Sequence, residues 1–149
     1  MIISFSFRKE LLYRVLFVLY GVAMKKITKE MIKIYKPLGT DWLNYKVTQS
    51  NQLTFHHILK KVDGGKEELT NGALLTEIAH QYLHIIEYRD IDTYRLLNKM
   101  LKMINKQMTA PTPGQREVIE YLLREFESAH KEDKNSKGKL LIQYKYLDR

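Results

Sequence analysis

The chain contains no cysteine in its 149 residues, which excludes a disulfide framework and a thiolate zinc site, so any metal must be held by His, Asp, Glu or Asn. Proline is scarce as well, with only Pro37, Pro111 and Pro113, and each marks a place where a helix should stop. Acidic residues are outnumbered: 17 Asp and Glu against 25 Lys and Arg give a formal charge of +8. A surplus of that sign favours a polyanionic partner such as nucleic acid, although many basic proteins bind none. A long hydrophobic run is also missing. The apolar stretch from Leu11 to Ala23 is short and is interrupted by Arg14, which does not amount to a membrane span. Its apolar residues ahead of Arg8 and the lack of cysteine argue against a secretion signal. Residues 1–23 are therefore an apolar N-terminal segment that need not belong to the native chain, and Met24 opens MKKITKEMIKIY, a plausible start for a cytoplasmic protein.

What is present fits one domain with a normal core, since 44% of the residues are hydrophobic and the length is that of one ordinary domain. No internal repeat is visible. A helix is expected near Lys25 or Thr28, with Ile27, Met31 and Ile34 along one face, until Pro37 and Gly39 break it. Trp42 and Tyr45 read as core or edge aromatics. Leu53 to Leu59 reads as a strand, Lys60 to Thr70 as a polar loop centred on Asp63-Gly64-Gly65, and Ala73 to Leu75 as a second strand. Thr76 is placed to cap a helix running to about Tyr88. Further helices are expected over Asp92–Gln107 and Gln115–His130, separated by Pro111 and Pro113. Tyr82, Tyr88 and Tyr94 are read as packing residues and His130 as a surface residue. Lys131 to Lys139 is a charged stretch, and Leu140 to Leu147 alternates like a terminal strand.

Four of the five histidines fall between His56 and His84. His80 and His84 are four apart in the expected helix, so they share a face and can share an ion. On its own that pair is as well explained by a half-buried helix face. His56 and His57 are neighbours in a strand and point to opposite sides. One can bind metal while the other stays free to accept a proton from water, and a metal would polarise a phosphoryl oxygen. Glu77, one turn before His80, is either a partner behind the ligands or a surface acid at the positive end of the helix.

Taken together, FHHILKKVDGG followed by LTNGALLTEIAHQYLH resembles the HNH endonucleases, whose ββα-metal motif folds two short strands and a helix around one divalent ion. The resemblance implies an α+β fold, mainly helical, with two short antiparallel strands, a helix and flanking helices. It implies a single nuclease domain over 24–130 with its ββα core at 53–88, followed by a charged tail at 131–149. By the same resemblance His57 is the general base. Asn71, fourteen residues later, is the asparagine that braces the loop and orients that histidine. His56 and His80 are metal ligands, and His84 matches the additional ligand of the colicin-type nuclease domains. Lys60, Lys61 and Lys66 are candidate phosphate contacts beside the site.

The implied activity is hydrolysis of DNA phosphodiester bonds with one divalent ion. Three imidazoles suit Zn²⁺, Ni²⁺ or Mn²⁺ better than Mg²⁺. Two departures from the family stand out: the chain cannot form the Cys-x-x-Cys clamps many members carry, and His56 stands where Asp is common. The alternative is a catalytically inactive, metal-stabilised nucleic-acid-binding module. DNA is the expected partner, a homodimer is left open, and no stable membrane association is expected.

Overall fold

The structure is a computed structural model, and it describes residues 24–131. The expectations for residues 1–23, for most of the charged stretch and for the terminal strand lie outside the described residues. The chain is α+β: helix α1 (Lys26–Tyr35), strand β1 (Leu53–His57), strand β2 (Gly72–Thr76), then helices α2 (Glu77–Arg89), α3 (Ile91–Gln107) and α4 (Pro113–His130). The two strands pair antiparallel with Leu53 opposite Thr76 and His57 opposite Gly72. No helix among the described residues is long and apolar enough to cross a membrane.

Helix α1 has the expected span but a different buried face. Thr28, Met31, Ile32 and Tyr35 are buried, whereas Ile27 and Ile34 only flank the core. The rotation follows from Tyr35, whose ring meets Trp42 edge-on at 4.8 Å and whose hydroxyl donates to the Asn105 carbonyl at 2.5 Å. Trp42 and Tyr45 are both fully buried, as core aromatics. Backbone hydrogen bonding from Trp42 N–H to the Leu74 carbonyl, at 3.1 Å, lays this segment along the other edge of β2.

Between them stands Asp41, a buried carboxylate that holds the segment to the start of α2. Its Oδ1 accepts from the N–H groups of Leu43 at 2.8 Å and Tyr45 at 2.9 Å, and its Oδ2 accepts from the N–H and hydroxyl of Thr76, both at 2.8 Å. Burial pushes the carboxyl up to about 6, against these four bonds, which pull it down. Thr76 caps α2 as the sequence suggests, its Oγ1 accepting from Ala79 N–H at 3.3 Å. This fixes the first turn of the helix that carries His80 and His84.

Helix α3 packs against α2 and covers the small sheet with Tyr94, Leu97, Leu101 and Ile104. Asn105, also on that face, donates to the carbonyls of Leu69 and Gly72, each at 2.7 Å, and so pins the end of the loop that leads into β2. Helix α4 starts earlier than expected: Thr112 is its cap, with a reciprocal bond from Gln115, and Pro113 is its first residue. Proline is tolerated there because the first N–H of a helix has no partner to lose. Of the three tyrosines read as packing, Tyr82 and Tyr94 are buried, whereas Tyr88 is 86% exposed, because it follows Ile86 on the outer side of the last turn of α2.

Candidate functional site

Strand alternation separates the two neighbouring histidines. His56 is buried, 2% exposed, while His57 is half-buried at the end of β1 and stands edge-on to Phe55 at 4.9 Å. Phe55 and His57 share a strand face, as residues two apart must. His56 faces α2, where His80 and His84 lie one helical turn apart. Ring centroids are 5.1 Å apart for His56 and His80, 5.1 Å for His80 and His84, and 6.4 Å for His56 and His84. The fold thus gathers into one triangle the three imidazoles that the sequence singles out as ligands.

Each imidazole has further partners. His56 Nδ1 is 3.4 Å from His80 Nε2, and His56 Nε2 is 3.1 Å from Asn98 Oδ1 on α3. His80 Nδ1 is 2.9 Å from Thr54 Oγ1. His84, with its side chain 57% exposed, has Nδ1 at 3.4 Å from a carboxylate oxygen of Glu87. Burial drives the His56 imidazole down to about 3, with the neighbouring His80, His84 and His57 adding to the effect and Asn98 opposing it. Burial, then His84 and His57, takes His80 down to about 4. His84 is lowered too, by burial and by Lys60. His56 and His80 are therefore neutral at physiological pH and keep a nitrogen lone pair each.

The donor set suits a transition-metal ion. Two imidazole nitrogens bound to one tetrahedral ion, each about 2.0–2.1 Å from it, stand roughly 3.3–3.4 Å apart. His56 Nδ1 and His80 Nε2 are already 3.4 Å apart. Among the described residues no three His, Asp or Glu side chains converge as they stand on one ion position. His84 Nδ1 lies toward Glu87, 3.4 Å from its carboxylate. Glu87 in turn pairs with Lys60.

Asn71 acts on the loop rather than on the imidazole. Its Oδ1 accepts from Leu59 N–H at 2.7 Å, and its Nδ2 donates to the carbonyls of Leu59 and Lys66, both at 3.0 Å. Its own carbonyl accepts from Ile58 N–H at 3.0 Å. Asn71 thus clamps the two residues that follow His57, and the strand ends at His57 instead of running to Leu59. Any hold of Asn71 on His57 passes through this backbone. Gly65 is required by the same clamp, because a Cβ there would sit 1.8 Å from the Leu59 carbonyl oxygen and 2.9 Å from Asn71 Nδ2. Gly64, at φ +90°, makes the preceding turn.

Among the candidate phosphate contacts, Lys61 and Lys66 are exposed on the loop, whereas Lys60 is engaged with Glu87 and lies 5.7 Å from the centre of the Tyr94 ring. Glu77 is exposed in the first turn of α2, which fits its reading as a surface acid. His130 is half-buried, its ring 4.5 Å from that of Phe126. No family model, curated protein or solved structure matches the chain.

Two residues of the site carry no signal in the histidine pattern. Thr54 precedes His56 by two and so lies on the same face of β1. Asn98 is a polar residue between Tyr94 and Leu101 in the buried stripe of α3, and a polar group in such a stripe needs a partner.

Proposed function

We propose that the chain is a metal-dependent endonuclease of the HNH type that hydrolyses DNA phosphodiester bonds, with His56, His80 and His84 holding one divalent ion and His57 acting as general base. The observation that carries this reading is the pair of neutral imidazoles on β1 and α2 whose nearest nitrogens stand 3.4 Å apart, with the ring of His84 5.1 Å from that of His80. A divalent ion bound there supplies charge stabilisation for the scissile phosphate and the departing oxyanion.

In this reading His57 is the general base: it lies on the other face of β1 from His56, so it is left off the ion and takes the proton from the attacking water. Its ring packs edge-on against Phe55, and the Asn71 clamp holds the backbone immediately after it. Lys61 and Lys66, on the same loop, supply cations for the phosphates on either side of the scissile bond.

The test is incubation of supercoiled plasmid with the purified full-length chain. With Mn²⁺, Ni²⁺, Zn²⁺ or Mg²⁺ in turn, at least one ion is expected to give nicked or linear DNA, and EDTA is expected to abolish the reaction. A chain that retards the plasmid in a gel but leaves it intact with every ion is the metal-stabilised binding module instead, and the nuclease reading is then wrong.

A further inference from the structure

We infer that Thr54 and Asn98 are positioning residues that fix the tautomers of His80 and His56, so that two bare nitrogens face each other across the place of a shared cation. This rests on the metal-binding reading above and adds to it the groups that prepare the ligands before any ion arrives.

Asn98 leaves one tautomer for His56, and the Thr54 geometry points to one for His80. The Ile58 carbonyl can only accept, and Asn98 Nδ2 lies 2.6 Å from it, so the amide group of Asn98 points there and its Oδ1 faces His56. An amide oxygen has no hydrogen to give. His56 Nε2, at 3.1 Å from that oxygen, must therefore carry the N–H, which leaves Nδ1 bare. On the other side, Thr54 Oγ1 has a single hydrogen and two acceptors in reach, the Leu75 carbonyl at 2.8 Å and His80 Nδ1 at 2.9 Å. With the hydrogen on the shorter bond, to Leu75, the Thr54 oxygen accepts from His80 Nδ1, and His80 Nε2 is left bare.

The two bare nitrogens are His56 Nδ1 and His80 Nε2, 3.4 Å apart. In this arrangement neither has a hydrogen to offer the other, so the contact is lone pair against lone pair; with the Thr54 hydrogen turned to His80 Nδ1 instead, His80 Nε2–H would donate to His56 Nδ1. The lone-pair contact is unfavourable by itself and becomes favourable with a cation between them. Ligating histidines commonly present one nitrogen to the metal and tie the other N–H to a fixed acceptor, and removal of that acceptor weakens binding about 10- to 100-fold. Here the acceptors come from opposite sides: Thr54 from within the ββα unit, and Asn98 from α3 outside it. Helix α3 thereby contributes to the site without supplying a ligand.

The experiment uses the full-length chain, stripped with EDTA, with Zn²⁺ as the probe. Long-range ¹H–¹⁵N NMR of the metal-free chain is expected to show His56 protonated at Nε2 and His80 at Nδ1. Calorimetric Zn²⁺ affinity is expected to fall about 10- to 100-fold in Thr54→Val and in Asn98→Leu. Thr54→Ser, which keeps the hydroxyl, should restore both the His80 tautomer and the affinity. Should Asn98→Leu not fold, the Thr54 pair decides alone. Opposite tautomers, a proton shared between the two rings, or unchanged Zn²⁺ affinity in folded Thr54→Val and Asn98→Leu would overturn the positioning role while leaving metal binding intact. A wild-type chain that takes up no Zn²⁺ yet shows the expected tautomers would instead retain the hydrogen-bond lock and remove the metal reading.

Discussion

His57→Ala is expected to lower divalent-dependent plasmid cleavage by about 10²- to 10⁴-fold, the range typical of losing a positioned general base, with little change in metal uptake. The separation follows from the strand. His57 and His56 are adjacent but project to opposite faces, so truncating His57 removes the proton acceptor and leaves the three imidazoles on the other side untouched. His80→Ala should show the reverse pattern, losing the ion and the activity together. Initial nicking rates and equilibrium dialysis on the same preparations distinguish the two. If His57→Ala cuts within a few-fold of the wild type, some other group accepts the proton and the role given to His57 is wrong.

Asp41→Ala is expected to destabilise the fold by about 3–5 kcal/mol, the range seen when one side of a buried charged network is removed. The carboxylate is fully buried and accepts from Leu43, Tyr45 and twice from Thr76. Without it, four donors lose their acceptor, and at least the backbone ones have no solvent to turn to. Asp41→Asn keeps one acceptor oxygen and should lose less. Urea unfolding followed by circular dichroism reads both. Because Thr76 also caps α2, loosening it should weaken Zn²⁺ uptake at His80 and His84 as well as stability. A loss of less than about 1 kcal/mol in Asp41→Ala would mean that the network is not what holds the Trp42 segment to the sheet.

Much of the frame is legible in the sequence because it follows local rules. Thr76 announces the start of α2 by its own capping chemistry, and the prolines announce the ends of α1 and α3. The apolar spacing of Tyr94, Leu97, Leu101 and Ile104 gives α3 and its buried face. The grouping of His56 with His80 and His84 is also foreshadowed, since a strand, a loop and a helix in that order can fold back only a short distance.

What escapes is set by tertiary contact. The buried face of α1 turns toward Tyr35 because Trp42 and the Asn105 carbonyl lie there, and neither is near in sequence. Asp41 looks like any loop acid until Thr76 arrives beside it. Asn98 is 42 residues from His56, and only its place in an apolar stripe marks it as needing a partner. Asn71 shows the opposite case: its residue type and position are legible, but its side-chain bonds go to the backbone of Leu59 and Lys66.

The most direct measurement is anomalous diffraction at the zinc edge from crystals of the full-length chain grown with Zn²⁺. One strong peak is expected, about 2.0–2.1 Å from both His56 Nδ1 and His80 Nε2, with His84 turned inward from Glu87 to join it. A well-ordered site with no peak between those two nitrogens, or with zinc bound only elsewhere on the chain, would contradict the shared-imidazole centre on which the proposed nuclease depends.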